Sequence, residues 1–471
     1  MTRLSTAYTV DNLIYEDPEQ TVLLGVAPVE FDHDIVIPNT VKQIKRPGFS
    51  KLKFNPAKCK SITIPGSVER ISSGAFKTSV ETIQFENGIK KINEGAFMDC
   101  DSENIILPES VKEIDQGAFA YSKVKNINLE NVEVIGYRTF MASNIENAVL
   151  KNVKELCSEA FSGCLNLKSL HVIPNTLITI PRQFCYECES LEDLKLENID
   201  RISQNAFANT SILRTVNLPL TLKTIEEDAF QMSGLRFITI PSSVEVIYDE
   251  AFACCYGMEE VIIEESEEKK LALGSNLFFD NEKIKSLIIP SSVKAFDDEC
   301  LQDMHGLETL TINTSVDTLP ERFAKDCKKL KNIYLSPEIK FLEEECFANT
   351  AFEIISDNFK NIKMYGKGCF SFCDNLRKAY IKDAFLDLGT FGDCKSLHLV
   401  TVLSDKDIPV SAFANSGPLK LFVPNVDGIC RAVLATNKDI TILDKIDEEI
   451  IEDLSCMLSF RELSKLPSET R

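Results

Sequence analysis

The apolar positions of the chain recur in a fixed order along the sequence. Residues 61–79 and residues 80–100 carry the same pattern after a shift of 21 residues: Ile62, Ile64, Val68, Ile71 and Phe76 align with Ile83, Phe85, Ile89, Ile92 and Phe97. Self-similarity at a period of about 20–29 residues is typical of solenoid proteins, in which each repeat packs on its neighbours. The pattern therefore predicts a stack of similar turns.

Each repeat has the same internal order of elements. A short strand with apolar residues two apart, such as Ile238-Thr239-Ile240, is often followed by proline, which lacks an amide donor and suits the end of a sheet ladder. A second apolar pair and a short helix-like or turn segment follow, and this segment ends in a pair such as Ala251-Phe252. One turn cannot bury its own apolar residues, so strands must stack at about 4.8 Å. We therefore expect an α/β repeat solenoid.

The aromatic residue of the Ala-Phe-like pair gives the number of turns. Most spacings between successive markers lie between 21 and 24 residues, and the interval that contains the charged run 264–270 is longer, which indicates a surface insertion. The seventeen marker positions are Phe49, Phe76, Phe97, Phe119, Phe140, Phe161, Phe184, Phe207, Phe230, Phe252, Phe279, Leu301, Phe323, Phe347, Phe370, Phe391 and Phe413.

Three regions follow from the limits of the pattern. Residues 1–34 contain short β-prone runs and are predicted to be an N-terminal cap, because a solenoid must cover its first open edge. Residues 35–424 are the repeats, and residues 425–471 are predicted to form a C-terminal cap with an amphipathic acidic helix. In that helix Ile446, Ile450 and Leu454 fall at helical spacing. The helix either caps the last turn or docks on a partner.

The recurring unit I-T-I-P-x-S-V-x-x-I-x-x-x-A-F, followed by Cys or Ser and then Leu, resembles the BspA-like (TpLRR) class of leucine-rich repeats over residues 35–424. The resemblance implies a right-handed superhelix with one parallel β-sheet on one side. It also implies a non-enzymatic protein of the surface-antigen or cell-adhesion type, which binds a protein partner through its sheet face. Other members of the family are intracellular. The alternative is therefore an intracellular structural scaffold that uses the same repeat surface or the C-terminal helix.

Charge limits the class of partner. The 51 Lys and Arg residues and 72 Asp and Glu residues give a net charge of −21. This balance argues against nucleic acid, which requires a basic footprint, and favours a basic protein partner. The alternative is an acidic coat that only keeps the chain in solution.

Two observations on targeting point in different directions. The first residues contain no apolar signal sequence, and no apolar run approaches the roughly 18 residues of a transmembrane helix. This pattern favours the cytoplasm, whereas the family resemblance favours the cell surface.

Candidate chemistry is sparse. Most of the sixteen cysteines occupy repeat positions that hold Ser or Thr in other turns, so we interpret them as small buried residues. Cys164 and Cys188 lie in adjacent turns, as do Cys373 and Cys394, and such pairs are within disulfide reach. The C-x-x-C at 185–188 stands alone, and the four histidines belong to no catalytic motif. The sequence therefore predicts no catalytic, cofactor-binding or metal site.

The candidate binding surface is the outer face of the strands. The middle residue of each I-x-I strand points away from the core, and this column mixes polar with apolar and aromatic residues. Exposed apolar residues on one face are typical of binding surfaces, although β-propensity on a partly covered sheet would produce the same pattern. The candidate partner-binding residues are Thr63, Gln84, Ile106, Asn128, Val149, His171, Lys195, Asn217, Thr239, Ile262, Ile288, Thr311, Tyr334 and Tyr380, and the column continues to Thr401 and Phe422.

Overall fold

The computed structural model describes residues 7–29, 31–50, 58–268, 270–404, 406–423 and 439–443, together with Lys445, Leu454 and Leu466. The chain divides into two compact units, Met1–Leu235 and Arg236–Arg471. Within each unit, successive turns contribute short strands to parallel sheets, so each unit is a β-solenoid.

Two columns of strands run through the first unit. The outer strand column carries the I-x-I pattern and comprises Ile35–Val36, Ser61–Ile64, Thr82–Phe85, Asn104–Ile106, Asn126–Ile127, Asn147–Leu150, Ser169–Val172 and Asp193–Leu196. The second strand column contains the second apolar pair and comprises Gln43–Gly48, Arg70–Ile71, Lys91–Ile92, Glu113–Ile114, Val134–Ile135, Glu155–Leu156, Ile178–Ile180, Ile199–Ile202 and Thr224–Ile225. The expectation of one parallel sheet is therefore wrong, because the second apolar pair also forms strands.

The second unit repeats this arrangement. Its outer strand column comprises Phe237–Ile240, Glu260–Ile263, Ser286–Ile289, Thr309–Ile312, Asn332–Leu335, Ile354–Ile355, Lys378–Lys382, Leu399–Leu403, Leu419–Phe422 and Ile440–Leu443. Its second strand column comprises Val246–Ile247, Leu271–Leu273, Val293–Phe296, Thr318–Leu319, Phe341–Leu342, Met364–Tyr365 and Phe385–Leu386.

The Ala-Phe segment forms hydrogen-bonded turns instead of a helix. The N–H groups of Phe97 and Asp99 donate to the carbonyls of Ala118 and Ala120 in the next turn, at 2.8 and 3.0 Å, while the N–H of Met98 between them bonds locally. An α-helix would need every N–H for bonds within the segment. The segment therefore forms a third side of each turn, and its backbone hydrogen bonds join neighbouring turns.

The α/β class is not confirmed for this reason. The described residues contain two short 3₁₀ segments, Asp357–Phe359 and Val410–Phe413, and a single residue in α-helical conformation, Leu454. The handedness of the superhelix stays a prediction.

The aromatic markers form the core of the first unit. From Phe49 to Phe161 the rings stack in sequence order, with centroids 4.8–5.4 Å apart and interplanar angles of 5–22°. This separation is close to the strand spacing of about 4.8 Å, so one ring per turn fills the interior without a gap.

One marker was placed on the wrong residue. In the sequence Leu277-Phe278-Phe279, Phe278 is buried and stacks on Phe252 with a centroid separation of 5.8 Å, whereas Phe279 is only half-buried. Leu277 takes the place of the small residue, and a pattern that searched for an aromatic residue could not choose between two adjacent phenylalanines.

Two other turns reverse the order of small and large residues. The N–H of Phe161 donates to the carbonyl of Phe184, and the N–H of Cys185 donates to the carbonyl of Ala206. Phe184 therefore occupies the place of the small residue, and Cys185 occupies the place of the large marker residue, which we call the anchor. The same bonding places Phe323 before Ala324 in the second unit. Both phenylalanines are still buried, and their rings meet neighbouring rings edge-on instead of stacking.

The two ends of the repeats are covered by different structural elements. Tyr8–Val10, Leu13–Tyr15 and Val22–Val26 pair antiparallel, and the last of them pairs parallel with Gln43–Gly48 and so covers the first edge of the second strand column. At the other end, Ile440–Leu443 adds a strand beyond Leu419–Phe422, outside residues 35–424 that the sequence analysis assigned to the repeats. The amphipathic helix lies almost entirely outside the described residues.

Candidate functional site

The outer face is formed by the middle residues of the outer strand column. Parallel pairing aligns Thr63 with Gln84 and Ile106, and it aligns Val149 with His171 and Lys195. Lys195 is also bridged to Asn217. These residues lie on the surface because an extended strand turns alternate side chains to opposite sides, while the flanking Ile, Leu and Val residues fill the core.

The second unit aligns its candidate residues in the same way. Thr239 pairs with Ile262, Ile288 pairs with Thr311, and Thr311 pairs with Tyr334. In both units the candidate residues are exposed or half-buried from Thr63 to Tyr334: Thr63, Gln84, Val149, His171 and Thr311 are half-buried, and Ile106, Asn128, Lys195, Asn217, Thr239, Ile262, Ile288 and Tyr334 are exposed.

Tyr380 departs from this expectation. Its side chain is completely buried, as are the next two residues of the column, Thr401 and Phe422. Tyr380, Leu399 and Phe422 form an apolar cluster with Leu454, which is 1% exposed, and Leu466 packs against the same cluster. The outer face is therefore covered at this end by side chains from the chain's own C-terminal region. Sequence reasoning noted the apolar spacing around Leu454 but could not place it on the strand face.

The uncovered part of the second unit carries an apolar strip, which we define as Ile262, Ile288 and Tyr334. Their exposed fractions are 47, 59 and 55%. Phe237 and Ile354, the first residues of the strands Phe237–Ile240 and Ile354–Ile355, are also exposed. Clustered apolar side chains of this kind are found at protein-binding surfaces, whereas scattered ones need no explanation.

The structure brings together one constellation that the sequence did not reveal. Ser169, His171 and Asp193 meet on the outer face of the first unit, with His171 Nε2 at 2.7 Å from Asp193 Oδ2 and 3.2 Å from Ser169 Oγ. The hydrogen bond with His171 holds the pKa of the Asp193 carboxyl below its ordinary value. Both partners approach the same ring nitrogen. A Ser-His-Asp relay needs the hydroxyl and the carboxylate on opposite nitrogens, so this arrangement is not one.

In several turns the third residue after the anchor is a cysteine whose buried thiol donates a hydrogen bond. Cys188 Sγ lies 3.1 Å from the carbonyl oxygen of Phe161, and Cys373 Sγ lies 3.5 Å from that of Phe347. Burial raises the pKa of the Cys188 thiol well above its ordinary value and that of Cys373 to about 11. The fourteen cysteines that the structure describes are free thiols, including both adjacent-turn pairs within disulfide reach.

The described residues contain neither a candidate metal site nor a membrane-spanning helix. No group of three or more His, Cys, Asp or Glu side chains there is arranged to hold a metal ion. No helix in the described part of the chain is long and apolar enough to cross a membrane.

Strand pairing, the buried aromatic anchors and the open strand face define a leucine-rich-repeat β-solenoid. The sequence matches the BspA type leucine-rich repeat region, in six copies, over residues 49–168, 135–259, 247–377 and 305–420. The chain belongs to this family.

One solved structure supports the fold, and two further leucine-rich repeat or antigen structures match at lower TM-scores. A leucine-rich repeat protein from Bacteroides ovatus is 18% identical, with a TM-score of 0.53 over 93% of this chain and 99% of that one. A leucine-rich cell surface protein from Faecalibacterium prausnitzii is 19% identical, with a TM-score of 0.32 over 92% and 98% of the two chains. The pneumococcal vaccine antigen PcpA is 19% identical, with a TM-score of 0.34 over 94% and 100%. No curated protein matches the sequence.

Proposed function

We propose that this protein is a non-enzymatic binding protein that holds a protein partner on the outer face of its repeats. The observation that carries the proposal is the apolar strip of Ile262, Ile288 and Tyr334. Burial of one such side chain at an interface contributes about 1.5–3 kcal/mol before the costs of association.

The covered end of the same column supports this use. Leu454 and Leu466 pack on Tyr380 and Phe422, so aliphatic side chains already bind to this kind of surface within the molecule. The apolar strip presents similar residue types without that cover. The packing of Leu454 also favours a C-terminal region that caps the repeats over one that docks on a partner.

The charge of the chain supports a basic partner. A net charge of −21 accelerates encounter with a positively charged protein and slows it for nucleic acid. Association that is driven in this way weakens as salt screens the charges, over a Debye length of about 8 Å at physiological ionic strength.

Family membership supports the finer proposal of a surface antigen or cell-adhesion protein. The alternative is an intracellular structural scaffold that uses the same repeat surface or the C-terminal region. Biotinylation of intact cells, followed by detection of this chain, separates the two. Labelling before lysis supports the surface role, and labelling only after lysis supports the scaffold.

The test of the binding surface compares three variants. Ile288→Asp and Tyr334→Asp each place a carboxylate in the apolar strip, and Leu388→Asp is the matched control, because Leu388 is an equally exposed apolar residue outside the strand columns. Each protein is immobilised and exposed to a lysate and to extracellular proteins, and retained proteins are identified by mass spectrometry. We expect a partner that is retained by the wild type and by the control and lost from both strip variants. Identical retained sets on all four surfaces would disprove the proposal.

A further inference from the structure

The outer strand column of the first unit is broken at one place. The strand Asn126–Ile127 pairs with Asn104–Ile106, but the next strand, Asn147–Leu150, begins a separate sheet. Asn128, directly after the strand Asn126–Ile127, bonds back to the preceding turn. Its side-chain amide accepts the N–H of Leu107 and donates to the carbonyl of Leu107, each at 2.8 Å.

The side chain of Asn128 thus makes the two hydrogen bonds to Leu107 that the backbone of the following turn would otherwise make. In an unbroken turn the same carbonyl bonds to the following strand, as Ile64 does when it accepts the N–H of Glu86 at 2.9 Å. At Leu107 both groups are already satisfied by one asparagine amide. The pairing between these two turns therefore ends at Ile105 and Ile127.

A groove of about 570 Å³ lies over this break. Its walls carry the neutral polar side chains of Thr82, Asn104, Asn126 and Asn147, and Ile106 and Val149 supply apolar surface between them. The volume lies in the range of about 300–1,000 Å³ that is typical of ligand sites.

The amides of the groove differ in their hydrogen bonding. The amide of Asn126 donates to Asn104 Oδ1 at 2.8 Å, and Asn104 in turn donates to the carbonyl of Glu81. The exposed side-chain amide of Asn147 has no hydrogen-bond partner among the described residues. One donor and one acceptor therefore face the groove unpaired.

We propose that this groove binds an extended peptide segment of uncharged residues. Asn147 pairs with a peptide group of the ligand in the way that Asn128 pairs with Leu107, because a carboxamide offers one donor and one acceptor at the spacing of a backbone N–H and C=O. A β-branched or aliphatic side chain of the ligand lies on Ile106 and Val149. The inference rests on the proposed function of the outer face in protein binding, but it concerns a different part of that face from the apolar strip.

The chemistry of the lining selects this ligand class. The groove is lined by amides and aliphatic side chains with one carboxylate, Glu130, so it contains no cation that would bind a phosphate or an acidic peptide. None of its described lining residues is aromatic. A sugar ring would lack the flat apolar platform on which it usually stacks, whereas an extended peptide needs only amides and aliphatic contacts.

The experiment uses the full chain and a fluorescein-labelled, end-blocked peptide of alternating threonine and valine. Binding is measured by fluorescence anisotropy. We expect saturable binding that falls about tenfold in Asn147→Leu, since loss of a hydrogen-bonded pair is worth about 1–1.5 kcal/mol. Asn332→Leu is the matched control, because Asn332 is an exposed asparagine of the outer strand column in the second unit, and we expect it to leave the affinity unchanged.

Two further measurements decide the ligand class. A peptide N-methylated at alternate residues keeps its side chains and loses backbone donors, so we expect it to bind at least tenfold more weakly. Displacement of the unmodified peptide by an N-acetylglucosamine oligomer, with the same loss in Asn147→Leu, would overturn the peptide assignment in favour of a saccharide. Absence of peptide binding up to about 1 mM, or equal affinity in Asn147→Leu and Asn332→Leu, would overturn the site itself. These outcomes are separate from the fate of the strip variants, which test the proposed function alone.

Discussion

The thiol of Cys164 donates a hydrogen bond to the backbone carbonyl of Phe140, one turn earlier, with an Sγ to O distance of 3.0 Å. The same relationship recurs at other turns, where Cys188, Cys327, Cys373 and Cys394 bond to the carbonyls of Phe161, Leu301, Phe347 and Phe370, and Ser416 bonds to that of Phe391. In these turns the third residue after the anchor is therefore a small donor that adds a hydrogen bond to a buried carbonyl. This requirement explains why Cys, Ser and Thr interchange in the column.

Substitution of Cys164 tests this role. Cys164→Ser keeps a donor of similar size, and we expect it to change the free energy of unfolding by less than about 1 kcal/mol. Cys164→Ala removes this donor and leaves the carbonyl of Phe140 with one hydrogen bond, from the N–H of Ser143, so we expect a loss about 0.5–1.5 kcal/mol larger than in Cys164→Ser. Urea unfolding followed by circular dichroism measures both. Equal stability of the two variants would show that the column selects only for size.

The aromatic core gives a second prediction. Phe207 is fully buried and stacks on Phe230 at 5.4 Å, so Phe207→Ala should cost about 3–5 kcal/mol of unfolding free energy. Thr239→Ala, on the exposed outer face, should cost within about 0.5 kcal/mol. Thermal and urea unfolding compare the two variants. Similar losses would contradict the division into inner and outer positions.

The strands and the anchors were predictable because both are local. Ile83 and Phe85 point inward, with Gln84 between them on the outer face, as the two-residue alternation requires. The helix-like segment was not predictable in the same way. Its N–H groups at Phe97 and Asp99 bond to the next turn, and a single repeat read by itself does not contain those acceptors.

The binding face was predictable in position but not in extent. The register aligned Ile288 with Tyr334, as the column in the sequence indicated. The same column also contains Tyr380, which is buried because Leu454, distant in sequence, packs on it. Spacing within the repeats carries no information about a contact from outside them. The bonds of Asn128 were hidden for a different reason, since asparagine is an ordinary residue on a strand face and only the folded chain places its side chain against Leu107.

A carboxylate at the start of the repeats gives a prediction for pH. The N–H groups of Lys60 and Ser61 donate to Asp34 Oδ1 at 2.7 and 2.8 Å, and these bonds hold the pKa of the Asp34 carboxyl below its ordinary value. A carboxyl with a lowered pKa in the folded state contributes stability above its unfolded pKa of about 3.9. That contribution is lost as the pH falls through the lower, folded value.

Asp34→Asn should therefore be less stable than the wild type near about pH 6, with a difference that shrinks to zero in acid below both pKa values. Urea unfolding at a series of pH values measures this difference. Glu86→Gln, which removes one negative charge from the following turn, controls for the change in net charge. A difference between Asp34→Asn and the wild type that is constant across the series would show that the hydrogen bonds do not depend on the charge.

The covered end of the outer face gives the last prediction. Leu454 is 1% exposed against Tyr380, Leu399 and Phe422, so a carboxylate at this position would be driven out of the apolar cluster. In Leu454→Asp we expect Tyr380 and Phe422 to become accessible and the fluorescence of the apolar dye ANS to rise. Leu388→Asp, on an exposed leucine outside the strand columns, should leave the dye signal at the wild-type level. An unchanged signal in Leu454→Asp would mean that Leu454 does not cover the face in solution, and Tyr380 would then return to the candidate binding surface.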